Sequence, residues 1–104
     1  MPEVTVCRLD ELPEVGAQEF TVEGTRVAVV RIAADVYAVG AECTHQSVPL
    51  AEGEIDPDTC HIECWKHGSS FSLLTGHPDA LPATRSVAVY PARVDAGSVL
   101  VTVP

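Results

Sequence analysis

Two short motifs constrain this chain more than anything else in it: Cys43-Thr44-His45 and Cys64-Trp65-Lys66-His67. Each sets one thiolate donor close to one imidazole donor, and eighteen residues, 46 to 63, lie between them. Soft sulfur and borderline nitrogen donors in equal number select a late or redox-active metal over calcium or magnesium. Two readings fit. One is a tetrahedral zinc site; the other is an iron–sulfur cluster with two cysteines on one iron and two histidines on the other.

The rest of the chain limits what can surround such a site. Its 104 residues leave room for one domain and one modest core. Only 5% are aromatic, so Val, Ala, Leu and Ile must supply most of the buried surface. A metal bound at four side chains would cross-link so small a fold, and its binding free energy would become folding free energy. Six Lys and Arg against 15 Asp and Glu give a net charge of −9. That repels nucleic acid phosphates and suits a protein steered toward a basic partner face, though acidic charge equally serves solubility. The opening residues, MPEVTVCRLDELPE, carry acids and no apolar run, so no signal peptide is expected. No segment has the length of a membrane span. With secretion unsupported, clustered Cys and His read as metal ligands in a reducing compartment, and the expected location is cytoplasmic.

Periodicity predicts short strands throughout. Residues 3–9 form a first strand, followed by a turn or single helical turn at Asp10-Glu11-Leu12-Pro13. Glu19 to Val22 and Thr25 to Ile32 read as strands joined by a tight turn at Glu23-Gly24. The run VAVVRI, 27–32, is apolar enough to be covered on much of both faces. Val36 to Val39 follows, closed by Gly40. Residues 40–53 read as a loop, Glu54-Ile55 as the start of a short strand, and Asp56-Pro57-Asp58 as a turn. Over 60–64 the pattern alternates, with Cys60, Ile62 and Cys64 inward and His61 and Glu63 toward solvent. Phe71-Ser72-Leu73, Arg85 to Tyr90, Ala92 to Val94 and Val99 to Val103 complete the set, with turns at Thr75-Gly76-His77-Pro78 and Asp95-Ala96-Gly97-Ser98. No helix of three turns can be placed. The chain reads as all-β.

The pattern C-x-H, a gap of this size, then C-x-x-H resembles the Rieske [2Fe–2S] domain, and the resemblance covers nearly the whole chain. The preceding strands fit, as do Gly68, Phe71, Gly76 and Pro82 after the second motif. It implies an antiparallel β-sandwich spanning 1–104, with a small cluster-binding subdomain over about 41–83 formed by the two ligand loops. It assigns one [2Fe–2S] cluster, with Cys43 and Cys64 on one iron and His45 and His67 on the other. The Pro82 segment would pack over the cluster. Neutral imidazoles leave the cluster less negative than four thiolates would, which raises its potential into a window of roughly −150 to +300 mV. Within that window a low value is expected. Neither loop carries the extra cysteine found in high-potential members, and Phe71 stands where those members place a tyrosine, although Ser69 matches their serine.

The resemblance further implies a soluble one-electron carrier, a monomer, taking electrons from a flavin-dependent ferredoxin reductase to a terminal non-heme iron oxygenase. It is expected not to be an enzyme itself, because the chain is too short to hold a catalytic half. An alternative is the Rieske-like small subunit of an assimilatory nitrite reductase. A zinc-stabilised interaction module is a third reading, but zinc fingers usually keep cysteine pairs and histidine pairs together, unlike these mixed halves. Cys7 and Cys60 read as small apolar packing groups, and His61 and His77 as exposed. Trp65 reads either as a lid over the cluster or as a partly exposed contact. Glu42, Glu52, Glu54, Asp56 and Asp58 read as a solvated acidic face, with a docking surface as the sharper possibility.

Overall fold

A computed structural model describes residues 3–42, 48–65, 69–78 and 85–103. Ten strands occur among them: β1 Glu3–Arg8, β2 Val15–Val22, β3 Thr25–Ile32, β4 Asp35–Gly40, β5 Glu54–Asp56, β6 His61–Glu63, β7 Ser70–Ser72, β8 Val89–Tyr90, β9 Ala92–Asp95 and β10 Ser98–Thr102. The described helices are single 3-10 turns at Leu9–Glu11 and Leu50–Glu52. Every strand pairing is antiparallel, in three sheets ordered β1-β10-β9, β2-β3-β4-β8 and β5-β6-β7.

The β2-β3-β4-β8 sheet lies between two apolar cores, and β3 shows why. Val27, Ala28, Val29 and Val30 are all fully buried. Successive side chains of a strand point to opposite faces. Val27 and Val29 therefore join Val99, Val101 and Val103 against the β1-β10-β9 sheet. Ala28 and Val30 join Leu50, Ile62, Cys64 and Phe71 on the other side. Fully burying each such valine contributes roughly 1.5–3 kcal/mol. The double covering expected of VAVVRI is thus realised, and β3 couples the sandwich to the third sheet.

Two tight turns have the chemistry that two-residue hairpins demand. Val22 pairs with Thr25 and Asp95 with Ser98. The residues between them, Glu23-Gly24 and Ala96-Gly97, all have positive φ, the type I′ pattern whose twist matches the flanking strands. A bulge between Thr5 and Cys7 breaks the alternation of β1. Val6 and Cys7, though adjacent, both pack on the sandwich core as a result.

Two boundaries differ from expectation. β2 begins at Val15, four residues earlier than the periodicity suggested. Gly16 is there because a Cβ would lie 2.8 Å from the Pro13 ring; it permits a close approach and breaks nothing. Conversely, only Val89 and Tyr90 of the expected strand 85–90 enter the ladder. Upstream, the Val87 N–H donates to Gly76 O, so the segment leaves β4 for the 75–78 turn.

Candidate metal centre

β6 delivers the one described member of the four-residue ligand set. Ile62 and Cys64 are fully buried, Glu63 is exposed and His61 is half-buried, so the alternation expected over 60–64 holds with His61 less open than anticipated. The Cys64 N–H donates to Ser69 O at 2.6 Å, which ties together the two described ends of the second motif. Ser69 is fully buried beside it. Cys43, His45 and His67 lie outside the described residues, as do Gly68 and Pro82.

The base of the first loop is nevertheless defined. Glu42 and Pro49 form an antiparallel bridge, and the Leu50 N–H donates to Ala41 O at 2.8 Å. The two flanks of the first motif are thereby pinched into a neck. Arg26 braces that neck: it holds Glu19 through two bonds of 2.9 and 3.1 Å and lies 3.5 Å from Glu42.

Packing brings the two loops together. Val48, at the end of the first, shares one buried cluster with Cys64, at the start of the second. Gly53 makes the approach possible, since a Cβ there would run into the Glu63 carbonyl oxygen. No group of three or more metal-binding side chains occurs among the described residues. The donor chemistry fits an iron–sulfur group. Cys64 is a fully buried cysteine among apolar side chains, and a thiolate there needs a cation to offset its burial.

The other cysteines play the packing roles expected. Cys7 and Cys60 are free, half-buried, and sit against opposite cores. Burial, then the nearby Glu11 charge, pushes the Cys7 thiol up, which keeps it neutral. Cys60 has a partner that sequence reasoning missed. A side-chain hydrogen bond donated by the Tyr37 hydroxyl to Cys60, followed by burial, pushes the Tyr37 phenol up to about 12. Cys60 also takes a left-handed backbone, φ 59°, where the chain reverses into β6. Only three-dimensional pairing of β4 with that turn reveals this; no local signal marks it. Trp65 is 56% exposed, in keeping with the contact reading.

On the outer face of β5 and β6, Glu54 stands directly opposite Glu63 and Asp56 opposite His61. The His61 Nδ1–H donates to Thr59 O at 2.7 Å. These residues, with Ile55, Pro57 and Ser70, line a shallow cleft of about 400 Å³.

Comparison with known proteins places this arrangement. The family model described as Rieske [2Fe-2S] domain matches residues 3–91. The 3-phenylpropionate/cinnamic acid dioxygenase ferredoxin subunit of Photorhabdus laumondii is 34% identical over 105 residues, covering 99% of this chain and 96% of the relative. The ferredoxin of carbazole 1,9a-dioxygenase from Nocardioides aromaticivorans IC177 superposes with a TM-score of 0.93 at 35% identity, covering 98% of each chain. A chain from a complex of reduced oxygenase and oxidised ferredoxin in carbazole 1,9a-dioxygenase matches with a TM-score of 0.87 at 31% identity, covering 96% of this chain and 92% of that one.

Proposed function

The chain belongs to the Rieske [2Fe–2S] domain family, and we propose that it carries single electrons to the terminal oxygenase of a ring-hydroxylating dioxygenase system. It is an electron-transfer component and not itself the enzyme. The observation that carries this reading is similarity to dioxygenase ferredoxin subunits over 98–99% of this chain. We take residues 1–104 as one domain and about 41–83 as its cluster-binding part. The electron donor we assign is a flavin-dependent ferredoxin reductase, and the working form a monomer. The free thiols of Cys7 and Cys60 suit a reducing cytoplasm.

We assign Cys43 and Cys64 to one iron, and His45 and His67 to the other. When bound, the [2Fe–2S] cluster takes up and gives back one electron. The chain's own residues do the rest. The Cys64–Ser69 backbone bond ties the flanks of the second motif together, and the Glu42–Pro49 bridge those of the first. Leu50, Ile62 and Phe71, all fully buried, keep water from the inner side of Cys64. Phe71 brings no hydroxyl to that wall, and an apolar wall favours a potential low in the Rieske range. A redox titration should therefore place the midpoint near or below zero; a value well above zero would contradict this.

Reconstituting the purified protein with a reductase and an oxygenase tests the carrier role: substrate oxidation should require all three. If the protein instead co-purifies with a large siroheme flavoprotein and restores nitrite reduction, the small-subunit alternative replaces this one.

A further inference from the structure

The structure points to the site at which a partner lands. We propose that Trp65 and the outer face of β5–β6 form one docking surface, and that it receives an electron-accepting protein face rich in Lys and Arg. This rests on the carrier reading and extends it.

Three observations converge. Trp65 is more than half exposed although its neighbour Cys64 is fully buried. An indole in water one residue from a buried ligand suits partner contact, because aromatic anchors dominate binding energy when a partner desolvates them. Second, the stretch from Leu50 to Cys64 carries Glu52, Glu54, Asp56, Asp58 and Glu63 with no Lys or Arg. Arg8, Arg26 and Arg93 are engaged by acids elsewhere, and Arg31 by the carbonyls of Leu9, Leu12 and Ala33. None of these bonds reaches β5 or β6.

Third, Glu54 and Glu63 are direct cross-strand partners and both are exposed. Like charges directly opposite each other destabilise a sheet. Neither makes an ion pair among the described residues. The repulsion is relieved when a cation arrives, so a basic partner gains what the isolated fold lacks. Charge complementarity thus selects the occupant, and the cleft of about 400 Å³ beside the pair gives a long basic side chain room to enter.

This surface makes a prediction that a purely structural role does not share. In the Glu54→Gln/Glu63→Gln double variant the fold should become more stable while electron transfer slows. The test uses cluster-loaded protein, chemically reduced, with cytochrome c as a basic electron acceptor, followed by stopped-flow absorbance across a range of salt. The wild-type rate should fall with rising salt. The double variant should start about threefold lower or more, with a flatter salt dependence and a higher Tm. Trp65→Ala should slow transfer at every salt concentration. Glu14→Gln/Glu23→Gln, the same charge change made at the two ends of β2, should have a smaller effect. Equal effects from the two double variants, or none from Trp65→Ala and Glu54→Gln/Glu63→Gln, would overturn the docking surface and leave the carrier reading standing. Failure of the loaded wild-type protein to pass electrons at all would overturn both.

Discussion

The two faces of the β2-β3-β4-β8 sheet are built to different standards. On the sandwich side the covering strands are four to six residues long, joined by a two-residue hairpin at Ala96-Gly97 or reaching across by an extended ladder. Charges there are paired, as in the bidentate Glu3–Arg93 contact at 2.7 and 2.8 Å that spans β10. On the loop side each strand is three residues long, and opposed carboxylates are left facing each other. Strands this short do not hold a sheet alone. The loop side therefore depends on its buried contact with β3 and on a metal cross-link, whereas the sandwich side is self-sufficient.

The sharpest way to break this contrast is a methyl group on each side. Gly53→Ala forces a Cβ into the Glu63 carbonyl, so backbone must move beneath both ligand loops. A loss of about 3 kcal/mol or more, with failure to retain iron, is expected. Gly24→Ala meets nothing within 4 Å and suffers only its left-handed φ of +78°, which costs about 1–2 kcal/mol. Iron content and urea unfolding check both. Similar losses in the two variants would erase the difference between the faces.

Metal removal should separate the faces next. After chelation, the amides of Ile62, Cys64 and Ser72 should lose hydrogen-exchange protection while those of Val27 and Val29 keep theirs. Uniform loss along the chain would mean one cooperative unit.

The Tyr37–Cys60 bond ties β4 to the turn before β6, so Tyr37→Phe should destabilise by about 1 kcal/mol. Its pH sign follows from a raised pKa. The contribution is fully present below the phenol's unfolded value near 10 and is lost as pH climbs toward about 12. Cys60→Ala should bring the Tyr37 titration, followed by ultraviolet absorbance, back down.

The smallest effect belongs to Glu3. Its bond with Arg93 holds the carboxyl below the usual range. That stabilisation is present above the ordinary carboxylate pKa and fades as pH falls through the lowered one. At full exposure to solvent it should be slight. Glu3→Gln should leave Tm nearly unchanged at neutral pH and flatten its acid dependence.

Legibility in the sequence follows the same division. The apolar run of β3 announced a strand covered twice, and the dipeptides Glu23-Gly24 and Ala96-Gly97 announced their hairpins. Those features depend on neighbours in sequence. On the loop side, Cys64 could be read as inward-facing from alternation, and the two motifs gave the donor types. The strained Cys60, the Tyr37 contact and the opposed Glu54 and Glu63 could not be read, because each depends on which strand lies alongside. The early start of β2 could not be read for the same reason: the Pro13 ring that demands Gly16 acts through space.

The central claim is that two thiolates and two imidazoles, Cys43, Cys64, His45 and His67, share one [2Fe–2S] cluster. Electron–nuclear double resonance on the reduced protein, grown with 15N-labelled histidine, tests it most directly. The account predicts two coupled histidine nitrogens, both gone when His45 and His67 are replaced. A paramagnetic centre with no histidine coupling, or iron-free colourless protein from freshly lysed cells, would contradict it.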